Sequence, residues 1–265
     1  MIEALLAALF GLIIGSFLNV CIFRLPRDLS VISPVRSFCP ACDTTIAWYD
    51  NLPIASYVLL RGKCRHCAET IPWRYPLVEL LTAAAFFAAV LKLGPHPAAI
   101  QLCVFSAILI ALVFSDLEER ILPDEFTLGG TIAGIALAFW IPRHFGLVQI
   151  LLYPHLHNER VLSALDAAFS AGVCAFMLWA IGALYFLVRH KEGLGFGDVK
   201  MVAMFGAFLG LQGALFTMIV GSVLGSVIGI LYIFILKKDA ASYELPFGSF
   251  LGVAALAVGF WQAGQ

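Results

Sequence analysis

Two aspartates stand where long apolar runs meet short polar stretches. Asp116 closes the run from Ile100 to Ser115, and Asp198 ends Gly195-Phe196-Gly197-Asp198 just before another apolar segment begins. A carboxylate at a membrane boundary is costly, so two such sites point to chemistry rather than packing. Two carboxylates sharing one proton supply an acid and a base: mutual repulsion and partial burial keep one ionised and one neutral. The base deprotonates a water that attacks a peptide carbonyl, and the acid protonates the oxyanion or the leaving nitrogen. The sequence holds no Ser/His/Asp arrangement, no HExxH helix and no phosphate loop. Aspartyl peptide hydrolysis within a membrane is the reaction these residues support, provided the helices bring Asp116 and Asp198 together.

Neighbouring residues compete for roles. Asp124 follows Pro123 and precedes Glu125, which is also the pattern of a helix N-terminus, so a cap on the next helix is as good a reading as a catalytic one. Asp116 has no such structural reason, because a negative charge at a helix C-terminus opposes the macrodipole. Gly195 and Gly197 let the backbone turn tightly and approach another segment. Asp198 itself has a bland reading as an N-cap. Lys200 either screens the acidic pair or reaches toward headgroups.

A second constellation lies upstream. Of seven cysteines, Cys21, Cys103 and Cys174 sit singly in apolar runs and read as small hydrophobes. The other four form Cys39-Pro40-Ala41-Cys42 and Cys64-Arg65-His66-Cys67, with 21 residues between the pairs. Two CxxC turns can direct four thiolates at one tetrahedral Zn²⁺, and four thiolates leave no open position, so the metal is expected to be structural. Two disulfides are the alternative, disfavoured in a reducing cytoplasm. Trp48, Tyr49, Asn51, Pro53 and Trp73 are expected to pack this lobe against the membrane surface.

The elements that must position these groups are membrane helices. Hydrophobic residues make up 62% of the 265, charged residues 12%, and the mean hydropathy is +0.96. That composition excludes a soluble domain, and the long continuous apolar runs exclude a β-barrel. The pattern predicts an all-α polytopic membrane protein with about eight transmembrane helices and a small zinc-binding cytoplasmic loop domain. Spans are expected near 2–23, 76–93, 97–115, 126–142, 162–188, 199–211, 213–236 and 246–262, each judged against roughly 20 residues per crossing. The segments 199–211 and 213–236 also fit one kinked or re-entrant unit around Gly206, Gly210 and Gly213. The run from Ile2 to Phe23 lacks a basic start and a small-residue cleavage site, so it reads as a retained helix. The domains divide as a first helix (1–23), a tetra-cysteine loop (24–75) and a helical peptidase bundle (76–265).

With eight spans, thirteen of the sixteen Lys and Arg residues fall on one face, including Arg24, Arg36, Arg65, Arg189, Lys237 and Lys238. By the positive-inside rule that face is cytoplasmic, and Asp116, Asp124 and Asp198 lie on it. His144, His155 and His157 cluster on the opposite face, where short histidine groupings read as solvated rather than metal-binding. Membrane lipid is the environment this surface requires, and no nucleic-acid partner is expected.

Together, Gly15-Ser16-Phe17-Leu18-Asn19-Val20 with Arg24-Leu25-Pro26, the four-cysteine loop, Tyr75-Pro76-Leu77-Val78-Glu79-Leu80, Asp116 through Leu122-Pro123-Asp124, and Gly195-Phe196-Gly197-Asp198 resemble the bacterial type IV prepilin peptidases. The resemblance covers nearly the whole chain. It implies cleavage of the leader from type IV prepilins or type II secretion pseudopilins at the cytoplasmic face of the inner membrane. It also implies methylation of the new N-terminal residue from S-adenosylmethionine. By motif match, Asp116 and Asp198 are the catalytic pair, and Cys39, Cys42, Cys64 and Cys67 the zinc ligands. Ser115 departs from the aliphatic residue common before the first aspartate. No glycine-rich strand–turn–helix supports a soluble-type methyltransferase fold. Asn19, Arg24 and Glu79, beside the cysteine loop, are candidate substrate or cofactor contacts. Their structural readings are a bond to a neighbouring helix, a headgroup anchor and a partner for Arg74. The rival class is a zinc-stabilised transporter or channel with proton-relay aspartates, which leaves the Gly195–Asp198 turn and the large zinc loop without a purpose.

Overall fold

The computed structural model describes residues 1–143, 146–152, 157–191, 194–236 and 246–264. Among them the chain is helical, with two isolated bridges, Phe38 to Thr45 and Lys63 to Thr70, and no extended strand. The long elements are α1 (Ile2–Arg24), α3 (Arg74–Leu93), α4 (Pro97–Glu119), α5 (Asp124–Trp140), α7 (Glu159–Arg189), α8 (Phe196–Leu236) and α9 (Phe247–Gln262), with short α2 (Ala55–Leu59) and α6 (Leu147–Leu152) between them. The chain forms two compact units, Met1–Ala111 and Leu112–Gln265.

In the first unit α1 and α3 pack closely because α1 presents glycines one turn apart. A Cβ on Gly11 would lie 2.8 Å from the Ala83 Cα, and one on Gly15 only 2.6 Å from the Glu79 Cα. The outer side of α1 carries Leu5, Leu6, Leu9, Phe10 and Ile13, all exposed, as a lipid-facing surface requires.

In the second unit α8 departs from helical geometry at Gly210, whose φ of 71° and ψ of 177° suit a residue without a side chain. The two halves run in opposite senses along α9. Gly197 shares the Leu122 side chain with Gly248, and Gly252 meets Met201, so the first half runs with α9. Gly213 meets Gln262, Gly221 meets Leu251 and Gly225 meets Phe250, so the second half runs back against it. The expected division of 199–236 into two segments is therefore present, with the reversal at Gly210.

A half-buried arginine secures that reversal. Arg143 donates from Nη1 to the Phe208 carbonyl and from Nη2 to the Ala207 carbonyl, both at 2.6 Å. Those carbonyls would have bonded residues 211 and 212 had the helix continued, and the guanidinium takes over that work at a negatively polarised helix end. Arg143 is itself held: its N–H donates to Ser163 Oγ at 3.1 Å and its carbonyl accepts from Gln149 Nε2 at 2.6 Å.

Five helices among the described residues are long and apolar enough to cross a membrane: Ile2–Arg27, Arg74–Leu93, Pro97–Glu119, Glu159–Arg189 and Phe196–Tyr232. The difference from eight has a physical origin. The reversal at Gly210 makes two segments of the last, while α5 and α9, with 17 and 16 residues, stop about a turn short of a full crossing. His144, His155, Lys237 and Lys238 lie outside the described residues.

Candidate active site and thiol cluster

The acidic site begins at the last turn of α4. Rather than following the helix, Asp116 lies within it, and the chain turns only at Arg120, whose φ is 58°. Ser115 closes this turn by donating from Oγ to the Ile121 carbonyl at 2.9 Å, so the unusual residue before the aspartate serves as a local clasp. Leu122 then projects against both Gly197 and Gly248, where added Cβ atoms would come to 3.2 and 3.1 Å of its side chain. Gly252 likewise accommodates Val113, to which a Cβ would approach within 2.5 Å. Small residues on α8 and α9 thus let both helices close on the end of α4.

That convergence brings Asp116 and Asp198 together. Both are buried, with 6% and 9% of their surface exposed, and their carboxylates lie within electrostatic reach of each other. Asp198 is the third residue of α8 and does not precede the helix; its N–H donates to the Gly195 carbonyl at 3.1 Å. Neither Gly195 nor Gly197 has a positive φ. Their contribution is the expected close approach, Gly195 to the Asp198 carboxylate and Gly197 to Leu122, with the turn closed by the Asp198 N–H.

Asp124 and Lys200 belong to each other. Lys200 Nζ reaches the Asp124 carboxylate oxygens at 2.6 and 2.9 Å, and it lies over the Phe196 ring. Asp124 is the first residue of α5, after Pro123, and makes no side-chain cap bond. Its ion pair joins the starts of α5 and α8, beside the acidic pair. Ser249 is the residue sequence reasoning missed: its N–H and its hydroxyl both donate to Asp116 Oδ2, at 2.7 and 2.6 Å. Only the proximity of a polar residue to Pro246 and the start of a helix could have marked it.

The four cysteines of the first unit converge by a different route. All four sulfurs lie within 4.8 Å of one another, and Cys39 Sγ is 3.8 Å from Cys67 Sγ. The two CxxC segments have the same backbone. Asp43 N–H bonds the Cys39 carbonyl and Cys39 N–H the Thr44 carbonyl, matched by Ala68 to Cys64 and Cys64 to Glu69. Asp43 and Ala68, at equivalent positions, both have left-handed φ, 51° and 58°. Backbone N–H groups of Cys67 and His66 aim at the Cys64 sulfur and bring its thiol down to about 6. At Cys67 the Glu69 N–H draws the thiol down, yet desolvation and the other three cysteines outweigh it and lift it to about 12. Four crowded thiols with sulfur-directed N–H donors suit a cation that neutralises them together. Arg65, inside the second CxxC, makes a bidentate pair with Asp50 at 2.6 and 2.7 Å and so ties the cluster to the turn at Trp48–Asn51.

The three residues beside the loop have internal partners. Arg24 is buried and bonds four loop carbonyls, those of Ser30, Val31, Pro34 and Arg36. It anchors the loop and not a headgroup, because a guanidinium with five donors can collect a curved strand of carbonyls. Glu79 accepts from the Ile54 N–H at 2.7 Å, at the strained start of α2 where Ile54 has a φ of 58°. Asn19 Nδ2 donates to the Tyr75 carbonyl at 3.0 Å, the helix-to-helix bond its position suggested.

Fold and residue placement thus define a multi-pass helical membrane protein with two buried aspartates within electrostatic reach of each other in its second unit and four clustered thiols in its first. The model of the bacterial peptidase A24 N-terminal domain matches residues 9–93, and that of the type IV leader peptidase family matches residues 103–230. A prepilin leader peptidase/N-methyltransferase of Aeromonas hydrophila is 33% identical over 97% of this chain and 90% of that protein, and one of Xanthomonas campestris 33% identical over 96% and 90%. A protein of the same name from Myxococcus xanthus is 39% identical over 83% of this chain, a match that spans 60% of its length. No solved structure matches. The chain belongs to the type IV leader peptidase family.

Proposed function

We propose that the chain is a bacterial inner-membrane aspartyl peptidase that removes the leader from type IV prepilins or type II secretion pseudopilins at the cytoplasmic face. The observation that carries this reading is the burial of Asp116 and Asp198 within electrostatic reach of each other, in a chain of the type IV leader peptidase family. Asp116 and Asp198 are the reacting pair: one carboxylate takes a proton from water as it attacks the scissile carbonyl, and the other donates a proton to the leaving nitrogen. Asp124 is a positioning residue through its pair with Lys200. The basic residues of the loops set the cytoplasmic orientation.

The tetrathiol lobe holds a structural Zn²⁺ through Cys39, Cys42, Cys64 and Cys67, and the ion ties the 24–75 segment into one piece. The exposed Trp48, Tyr49 and Trp73 seat this lobe at the bilayer interface. By analogy with the relatives' name, the same chain methylates the new N-terminus, with S-adenosylmethionine as donor. Asn19, Arg24 and Glu79 shape the region beside that lobe and hold its loops; a direct cofactor role is not needed to explain their bonds.

Co-expression with a candidate prepilin tests the peptidase: a faster-migrating product that disappears with Asp116→Ala or Asp198→Ala supports it, and retained cleavage in either variant overturns the pair. Mass spectrometry of the processed N-terminus tests methylation. An unmethylated product despite ample S-adenosylmethionine would remove that second activity and leave the first intact.

A further inference from the structure

Ser249 lies third in α9, buried, with two donors on one oxygen of Asp116. Its N–H is shared between the Pro246 carbonyl at 3.2 Å and Asp116 Oδ2 at 2.7 Å. Its hydroxyl lies between Val113 O at 3.2 Å and Asp116 Oδ2 at 2.6 Å, and the shorter contact is again the carboxylate. In both cases the longer bond is one that any helix start or interhelical staple could use, and the shorter one goes to the acid.

An oxygen that accepts two donors has its lone pairs committed, and a proton placed on it would force Ser249 back onto its longer bonds to Pro246 and Val113. The donors also resist rotation of the carboxylate, which would exchange Oδ1 and Oδ2. The Ser249 N–H has no carbonyl four residues back within the helix, only the longer bond to Pro246, and it sits at the positively polarised end of α9, so the carboxylate is its better acceptor. The approach depends on Gly248, because a Cβ there would come within 3.3 Å of the Asp116 carboxyl carbon and 3.1 Å of Leu122.

We propose that Ser249 is the positioning residue for Asp116: it favours Oδ2 as the hydrogen-bond acceptor and so leaves Oδ1 and the Asp198 carboxyl as the groups that exchange protons with substrate and water. This rests on the reading of Asp116 and Asp198 as the reacting pair. Ser249 does not touch substrate in this scheme, and its effect falls on turnover rather than binding.

The test uses the full chain, purified in detergent, cleaving a full-length prepilin. Losing one hydrogen bond to a charged group corresponds to about a ten- to hundredfold change. Ser249→Ala is expected to lower kcat by about that factor with KM within about twofold, and Ser249→Thr, which keeps the hydroxyl, to recover most of kcat. A staple to Val113 alone would lower the thermal midpoint of Ser249→Ala and leave kcat intact, and that result overturns the proposal. So does a Thr variant as slow as the Ala variant. If Ser249→Ala does not accumulate in the membrane, Ser249→Cys carries the comparison, with a similar volume and a weak donor; wild-type kcat in it counts against the proposal. Asp116→Asn in the same assay separates the two ideas. Cleavage by Asp116→Asn removes the acid pair itself, whereas a silent Asp116→Asn beside a normal Ser249→Ala removes only the role of Ser249.

Discussion

The tetrathiol lobe and the carboxylate site both gather reactive side chains, and they do so by opposite means. The lobe relies on local backbone: two short turns with the same hydrogen bonds present two sulfurs each, and only their meeting is non-local. The carboxylate site has almost no local logic. Asp116 and Ser249 are 133 residues apart, and they meet because Gly197, Gly248 and Gly252 let three helices close on one another. The lobe can therefore be damaged one ligand at a time, whereas the carboxylate site is vulnerable wherever a helix contact is forced open.

The sharpest way to break this contrast is to replace Asp198 by Asn. Cleavage should fall by at least about a thousandfold, measured as initial rate on a prepilin substrate, while the metal content of the protein stays unchanged. A parallel loss of metal would mean that the two regions are not separable. Next in size, Cys64→Ser should take bound zinc from about one per chain toward zero by elemental analysis and expose the 24–75 segment to trypsin. The membrane helices should stay inserted, and intact tryptic resistance would count against a metal-dependent lobe.

Gly206→Ala probes the helix contacts directly. Its Cβ would fall 2.5 Å from the Ser170 carbonyl, so α7 and α8 must part, at a cost of about 1–3 kcal/mol. A lowered thermal midpoint in detergent is expected, and an unchanged one would show that the helices are not packed as closely as described. The smallest effect belongs to Lys200→Met. Its pair with Asp124 is partly exposed, and such pairs contribute at most about 1 kcal/mol. Cleavage should stay within about fivefold of wild type; a loss as deep as that of Asp198→Asn would move Lys200 into the chemistry.

The same contrast explains what could be read in the sequence. The CxxC pairs were legible because their geometry is written within four residues. The burial of Asp116 and Asp198 could be anticipated because charge at the edge of an apolar run is rare. Ser249 was not, since nothing in Pro246-Phe247-Gly248-Ser249 says which distant acid it will face. The close approach at Gly195 and Gly197 was legible from their spacing, but which side chain, Leu122, would fill the space beside Gly197 was not. The partners of Arg24 were hidden for the same reason: its place at a helix end fits a headgroup anchor or a substrate contact, and only the folded loop shows the carbonyls it collects. The helix count was blurred because α5 and α9 are short and because one glycine, Gly210, reverses a continuous apolar run.

That reversal has a consequence for the lipid. The half-helix from Phe196 to the break holds roughly 14 residues and rises about 21 Å, some 9 Å less than the hydrocarbon thickness of an ordinary bilayer. Arg143 fixes one end of it through the Ala207 and Phe208 carbonyls, and the other end carries Asp198. A mismatch of that size is accommodated in general by bilayer thinning, by snorkelling of flanking residues or by helix association. A reaction that consumes water at a carboxylate would gain from the first of these, since the aqueous phase would come down to the acid and the acid need not rise to meet it.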